Sequence, residues 1–371
     1  MNHFIVIGAG ILGASTAYHL AKTGATVTVI DRKDEGQATD AAAGIVCPWI
    51  SQRRNQAWYR LAKGGASFYP DLIKELESEG ESNTGYARVG AISIHTDSTK
   101  LIEMENRARK RRVDAPEIGE VQVLSPSETK ALCPIIADGY GSVHVSGAAR
   151  VDGRALRDTL LRSAERHEAN IVYGDAELVL DGMKVIGSKV KDETYFAENV
   201  IVAAGAWGSQ LLEPLGIKFQ VDFQKGQILH MKLQDIDTNR WPVIMPPGNQ
   251  YIVPFRDGRI VAGATHEKNT GFDLKVTAGS IQEILNYSIQ VAPSLSNAEI
   301  LEARVGFRPF TPNFLPVIGS LPGYEGVLIA NGLGASGLTM GPYLGFILAK
   351  LALKEEIDLD LEPYAISGAL A

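Results

Sequence analysis

Residues 4–31 run strand, glycine-rich turn, helix, strand and acid, an order that few folds accommodate. Phe4-Ile5-Val6-Ile7 is a short apolar run, followed by Gly8-Ala9-Gly10-Ile11-Leu12-Gly13 and a helix-period stretch through Leu20 and Lys22. A turn at Gly24 leads to a β-branched run, Thr26 to Ile30, which ends on Asp31. Gly8 permits a tight turn, Gly10 lets a pyrophosphate approach the backbone, and Gly13 lets helix and strand pack closely. The helix N-terminus presents free N–H groups and a positive dipole end to phosphates. Asp31, 18 residues after Gly13, is placed to accept hydrogen bonds from an adenosine ribose. GxGxxG alone fits any glycine-rich α/β turn. With its flanking elements in register, it reads as the dinucleotide site of a Rossmann-like domain.

A chain of 371 residues is too long for one simple core and predicts two domains. The formal net charge of −7 argues against nucleic acid as a partner. One basic run, Arg107 to Arg112, goes against that trend; it fits a solvated helix end, where cations are favourable, or an anionic partner surface. The two cysteines, Cys47 and Cys133, have no metal or redox spacing, so no metal is expected. A strand starting at residue 3 or 4 leaves no room for a signal peptide, and no apolar run reads as membrane-spanning. The expected location is cytoplasmic. Peripheral membrane contact and homo-oligomerisation stay open.

Along the chain, the small-residue stretch Thr39 to Ile45 fits either close approach to a planar ligand or a packed helix start. Trp58 to Glu79 reads as a helix, Tyr86 to His95 as β, and Lys100 to Arg112 as a helix. Ser125-Pro126-Ser127-Glu128 has capping-box spacing. Val151-Asp152-Gly153 opens an amphipathic helix, and Asn199 to Val202 reads as a strand buried on both faces, ending in the small turn Ala203 to Trp207. From Phe219 to Gly263 several short strands suggest a mostly antiparallel sheet. A helix over Ser280 to Gln290, a strand Val327 to Asn331 and a helix from about Gly341 to Leu353 follow. The expected fold is α/β (α+β), with both domains discontinuous: a Rossmann-like cofactor domain of residues 1–84, 145–216 and 303–371, and a substrate domain of residues 85–144 and 217–302 built on the antiparallel sheet.

Three stretches favour a flavin over a nicotinamide. The loop Asn331 to Gly341 is dense in small residues and precedes a helix, whose open N-terminus would stabilise charge on a reduced flavin. Arg308 lies in the aromatic, proline-stiffened segment Val305 to Asn313; its planar fork matches a substrate carboxylate, or equally a structural ion pair. In Asn249 to Pro254, Tyr251 and Val253 share one face, and the Tyr251 hydroxyl either assists that carboxylate or packs at a rim. His266 is one of seven histidines and carries no catalytic signal by itself.

At these residues the sequence resembles the D-amino-acid oxidase superfamily of FAD-dependent amine oxidoreductases, which contains glycine oxidase, sarcosine oxidase and bacterial D-amino-acid dehydrogenase. The most specific parts are Phe307-Arg308-Pro309-Phe310-Thr311-Pro312-Asn313 and Gly332-Leu333-Gly334-Ala335-Ser336-Gly337-Leu338-Thr339-Met340, with Gln224-Lys225-Gly226-Gln227 and Val202 to Trp207 typical of the wider group. The resemblance implies that Arg308 holds a substrate carboxylate, that Tyr251 assists and that His266 lines the pocket. It implies FAD contacts at Gly8, Gly10, Ile11, Leu12, Gly13, Asp31 and Arg32, at Ala42, Ala43, Gly44 and Ile45, and at Ala204, Gly205 and Trp207. Further contacts are implied at Arg308, Gly334, Gly337, Leu338, Thr339 and Met340. The implied reaction is hydride transfer from the α-carbon of a small D-amino acid or glycine-like amine to flavin N5, giving an imino acid that hydrolyses to a keto acid and ammonia. The electron acceptor would be oxygen or a quinone. An N-methyl amino acid or 2-hydroxy acid substrate, or a flavin module acting on a macromolecule-bound amine, are the alternatives. Ala335 stands where glycine oxidases tend to carry arginine, which favours the dehydrogenase-like side, and His266 takes a place often held by Met. The lysine that sarcosine oxidases use toward oxygen is replaced near Val261, and no cysteine near Arg308 offers covalent attachment, so FAD is expected to be non-covalent.

Overall fold

The computed structural model describes residues 2–371 and contains two large sheets. In the first, His3–Ile7 lies at the centre, parallel to Thr26–Asp31 on one side and to Asn199–Val202 on the other. Asn170–Tyr173 extends one edge; Val327–Asn331 and the antiparallel Val317–Ser320 extend the other. Phe4 and Val6 point into a core shared with the helices, whereas Ile5, Ile7, Val200 and Val202 point into a second core shared with Val185 and Val190 of a small antiparallel sheet. The strands are therefore buried on both faces, which is why their sequence shows no alternation.

The second sheet runs in the order Glu299–Phe310, Asp222–Lys232, Arg259–Gly263, Tyr251–Pro254, Val243–Met245, Ala91–His95, Gly141–Val145 and Val121–Leu124. It is antiparallel except where Val243–Met245 meets Ala91–His95. Ile252 faces a core under the helix Ala278–Val291, and Val253 faces the first domain. The strand period thus leaves Tyr251 on the inner side. Residue 303 lies within the strand Glu299–Phe310, and residue 145 ends the strand Gly141–Val145, so both positions are held by the second sheet.

Local rules account for most helix starts. Asn55 and Asp152 cap Gln56–Ser78 and Gly153–Arg166 by accepting from Trp58 N and Ala155 N, and Ser125 and Glu128 form the reciprocal capping box. The last helix departs from expectation: it begins at Gly337, not near Gly341. Pro342 cannot donate to the Leu338 carbonyl four residues back, which leaves that carbonyl without its helical partner in the first turn. Here the Tyr69 hydroxyl donates to that carbonyl at 2.5 Å, and the first turn persists. The stretch Gly334–Leu353 reaches 20 residues with mean hydropathy 1.2, long and apolar enough to span a membrane, contrary to the sequence expectation. Most of its apolar part is buried in the protein, against Ile11–Lys22 and Gln56–Ser78. It is a core helix by packing.

The basic run ends the helix Ser98–Arg112, as a helix-end reading expects, and Lys110 and Arg112 are exposed there, but two of its arginines turn inward. Arg111 donates to the carbonyls of Trp49 at 2.6 Å and Ser51 at 2.8 Å, and Arg107 to that of Ile50 at 3.2 Å. Arg109 is engaged by Glu105 and the Val121 carbonyl. Arg107 and Arg111 thus fasten the segment 48–53.

Candidate active site

Between the two sheets lies a cavity of about 1430 Å³, above the roughly 300–1,000 Å³ of ordinary ligand pockets. One half is made largely of backbone. Gly8 has φ +101°, and its amide donates to the Ile30 carbonyl at 2.8 Å, extending the ladder to the neighbouring parallel strand up to the turn. A Cβ on Gly8 would meet the Ala203 oxygen at 2.5 Å, and one on Gly13 would meet the Gly8 oxygen at 1.8 Å. Only glycine lets strand and helix come this close. A Cβ on Gly10 would meet nothing nearer than Thr39 Oγ1 at 3.5 Å, so its outer face stays open to the cavity. Neither Ile11–Lys22 nor Gly337–Leu353 has an acid in its first turn to cancel the positive end of its dipole. Asp31 is buried and accepts from Ala9 N at 2.6 Å, Lys33 N at 2.6 Å and Gln37 Nε2 at 3.0 Å. A carboxylate has about four lone-pair sites, so one acceptor position remains for a hydroxyl.

The segment 38–44 is a turn followed by extended chain, not a helix start, and Ala41 to Gly44 line the cavity. Gly44, at φ +83°, lies against Val151, whose amide donates to the Gly44 carbonyl at 2.8 Å. On the far wall, Asn331 closes a buried strand: its Nδ2 donates to the Gly205 carbonyl at 2.8 Å and its Oδ1 accepts from Gly332 N at 2.7 Å. Cβ atoms on Gly332 and Gly334 would strike Thr311 and Phe310, so the C-terminal loop lies directly on the end of the arginine strand. The two late motifs adjoin.

The other half is built from side chains. Arg308 extends over Gly226 of the neighbouring strand, where a Cβ would come within 2.2 Å of Nη2. Arg308 Nη2 donates to the Thr265 carbonyl at 3.3 Å, and Nη1 lies 3.1 Å from His266 Nδ1. A guanidinium only donates, so Nδ1 is the acceptor and a neutral imidazole carries its proton on Nε2. Partial burial, then the Arg308 charge, pushes the His266 pKa down. From behind, Thr265 and Glu267 are pinned: Gln227 N donates to Thr265 Oγ1 at 2.9 Å, Gln227 Nε2 donates to Glu267 Oε1 at 2.8 Å, and the buried Lys225 pairs with Asp273 at 3.1 Å. Tyr251 faces the same cavity, its pKa raised by burial and drawn back by Arg308.

Of the residues singled out by sequence, 18 cofactor candidates, Tyr251 and His266 line this one cavity, apart from two exceptions among the cofactor set. Gly13 serves helix–strand packing, and Met340 is fully buried in the core, not on the wall. The cofactor candidates on the wall are Gly8, Gly10, Ile11, Leu12, Asp31, Arg32, Ala42, Ala43, Gly44, Ile45, Ala204, Gly205, Trp207, Arg308, Gly334, Gly337, Leu338 and Thr339. Sequence reasoning placed Thr39 at the head of the small-residue stretch without a role for its hydroxyl, which accepts from Ile11 N at 3.0 Å, and missed Arg53, which also lines the cavity. Arg53 sits in a polar stretch that reads as solvated loop, so nothing local signals it. Asn331 carried a usable signal, a polar residue ending an apolar strand.

These features suit a dinucleotide flavin: a glycine turn open toward the cavity, uncancelled helix ends, a spare Asp31 acceptor and a volume above that of ordinary pockets. Residues 3–351 match the family model of FAD dependent oxidoreductases, DAO. The chain is 63% identical to "Uncharacterized oxidoreductase YurR" of Bacillus subtilis (strain 168), with all of both chains covered, and 30% identical to a glycine oxidase of Pseudomonas aeruginosa, with 99% of each covered. The crystal structure of iminodiacetate oxidase from Chelativorans sp. BNC1 superposes with a TM-score of 0.95 at 43% identity, covering 98% of each chain. The chain belongs to the DAO family of FAD-dependent oxidoreductases, flavoenzymes that act on amines and amino acids.

Proposed function

We propose that the enzyme oxidises the carbon–nitrogen bond of a small amine that carries an α-carboxylate, with Arg308 as the carboxylate anchor and Tyr251 assisting. The observation that carries this reading is the Arg308 guanidinium held over Gly226 in the cavity, with no acidic partner among the described residues. A planar fork with free N–H groups takes a carboxylate in two parallel hydrogen bonds. When bound in this cavity, FAD would supply the two-electron acceptor for a hydride equivalent from the α-carbon. Loss of that hydride and of the amine proton gives an imine, which water splits into an oxo acid and the amine or ammonia. The protein's part is to fix the α-carbon by its carboxylate and to admit the neutral amine. His266 Nδ1 is occupied by Arg308, so His266 orients the anchor and does not act as a base. Gly8, Gly10, Ile11, Leu12, Asp31 and the small-residue walls would hold FAD. The reading takes FAD as non-covalent, in keeping with Cys47, the cysteine on the cavity wall, being buried with its thiol pushed up to about 12.

The likeness to iminodiacetate oxidase favours a secondary amine, an N-substituted glycine, as the second reading. Product analysis tests both: holoenzyme incubated with glycine, D-alanine, sarcosine and iminodiacetate should release an oxo acid from at least one. No carbonyl product from any of the four would refute the reading.

A further inference from the structure

The charges on the cavity wall are segregated. Asp31, Asp34, Asp175 and Glu177 line it at the edge formed by Thr26–Asp31 and Asn170–Tyr173, the end read as the ribose site. The substrate half carries Arg308 and a second arginine, Arg53, and no carboxylate among the described residues. Arg53 is not a loose surface side chain. Its guanidinium stacks on the buried Trp58 ring at 4.7 Å, and Nη2 donates to the Phe314 carbonyl at 3.0 Å. Its segment is fastened by Arg111 through the carbonyls of Trp49 and Ser51.

Arg53 is also tied spatially to the anchor. Phe314 packs edge-on against Phe310 with ring centroids 5.0 Å apart. Phe310 lies two residues beyond Arg308 on the same strand, hence on the same face. Of the five N–H donors of Arg53, one is used by Phe314, and no acid lies within salt-bridge distance among the described residues. A permanently charged, half-buried fork with unused donors, facing a cavity half that lacks anions, is placed to take an anion from outside the protein. The burial that lowers the Arg53 pKa agrees with this.

We infer that Arg53 is a second anion-binding group of the active site and that the preferred substrate is an amine bearing two carboxylates, one held by Arg308 and the other by Arg53. This rests on the reading of Arg308 as the carboxylate anchor, and the test separates the two.

Two unreactive ethers serve as probes of the holoenzyme: oxydiacetate, with two carboxylates, and methoxyacetate, with one. Binding is read from perturbation of the flavin absorbance band. Wild type should bind oxydiacetate at least tenfold tighter than methoxyacetate. Arg53→Gln should abolish that preference, Arg53→Lys should retain part of it, and Arg308→Ala should weaken both ligands. The ratio of kcat/KM for iminodiacetate over glycine should fall about tenfold or more in Arg53→Gln. A wild type without preference, or a preference that survives Arg53→Gln, overturns the assignment. Loss of FAD from Arg53→Gln also overturns it, because Arg53 would then be serving the cofactor. An Arg53-dependent preference for oxydiacetate in a protein that oxidises no amine would leave the subsite standing and refute the reaction.

Discussion

The two halves of the cavity are built by different means. The half around Gly8, Gly13, Gly44 and Gly332 is shaped by backbone, with contacts so close that a single added carbon would collide with a main-chain or side-chain atom. The half around Arg308 is shaped by a few long side chains, of which Arg308 and Arg53 are each held by one or two hydrogen bonds. The first leaves no room for a side chain at Gly8, Gly13, Gly44 and Gly332. The second can be altered residue by residue while the fold persists, so specificity resides there.

The largest expected effect is in the backbone half. Gly13→Val puts side-chain carbons into the Gly8 carbonyl, 1.8 Å from the position of a Cβ. The cost should be about 3 kcal/mol, visible as a lowered Tm and as purified protein that retains little FAD. A variant with full FAD content and unchanged Tm would erase the contrast between the halves. Next is Arg308→Ala, which removes charged hydrogen bonds of about 1.5–3 kcal/mol. It should raise the KM of the carboxylate-bearing amine tenfold or more while FAD content stays at the wild-type level. Equal loss of FAD would make Arg308 part of the frame.

Tyr69→Phe probes the support between the halves. It strips the donor from the Leu338 carbonyl that Pro342 leaves unbonded inside a buried turn. Leaving that oxygen unsatisfied should cost about 1–3 kcal/mol, read from thermal or urea unfolding. The smallest effect concerns His266. Its pKa lies below the ordinary histidine value, so the folded state favours the neutral ring that accepts from Arg308. That contribution is complete above pH 6.5 and is lost as the pH falls through the folded pKa. The Tm advantage of wild type over His266→Gln should therefore shrink between pH 7 and pH 5. An advantage that grows on acidification would mean that the protonated ring is the stabilised one.

The same contrast explains what the sequence disclosed. A site made of backbone needs glycine and alanine at fixed spacings, and those spacings were visible at Gly8 to Gly13 and in the loop Asn331 to Met340. The doubly buried strands were visible for a similar reason, since burial on both faces removes alternation. A site made of side chains depends on which residues the fold brings together across hundreds of positions. Arg308 was legible because its aromatic, proline-rich neighbours are unusual company for a charge. Arg53 was not, because Gln52-Arg53-Arg54 reads as ordinary loop until Phe314 and Trp58 are found beside it. The start of the last helix was misplaced because its compensation, the Tyr69 hydroxyl, comes from 269 residues away in sequence. Within the basic run, Arg107 and Arg111 similarly hold the segment 48–53, a role defined by tertiary contact.

The most direct test of the account is anaerobic titration of the purified holoenzyme with glycine, sarcosine, iminodiacetate and D-alanine, alongside methylamine and dimethylamine, which lack a carboxylate. The account predicts that the oxidised flavin band is bleached by at least one carboxylate-bearing amine, that the plain amines leave it unchanged, and that Arg308→Ala needs a far higher concentration of the same substrate. Bleaching by methylamine or dimethylamine as readily as by their carboxylated counterparts, or no bleaching by any of the six, would contradict it.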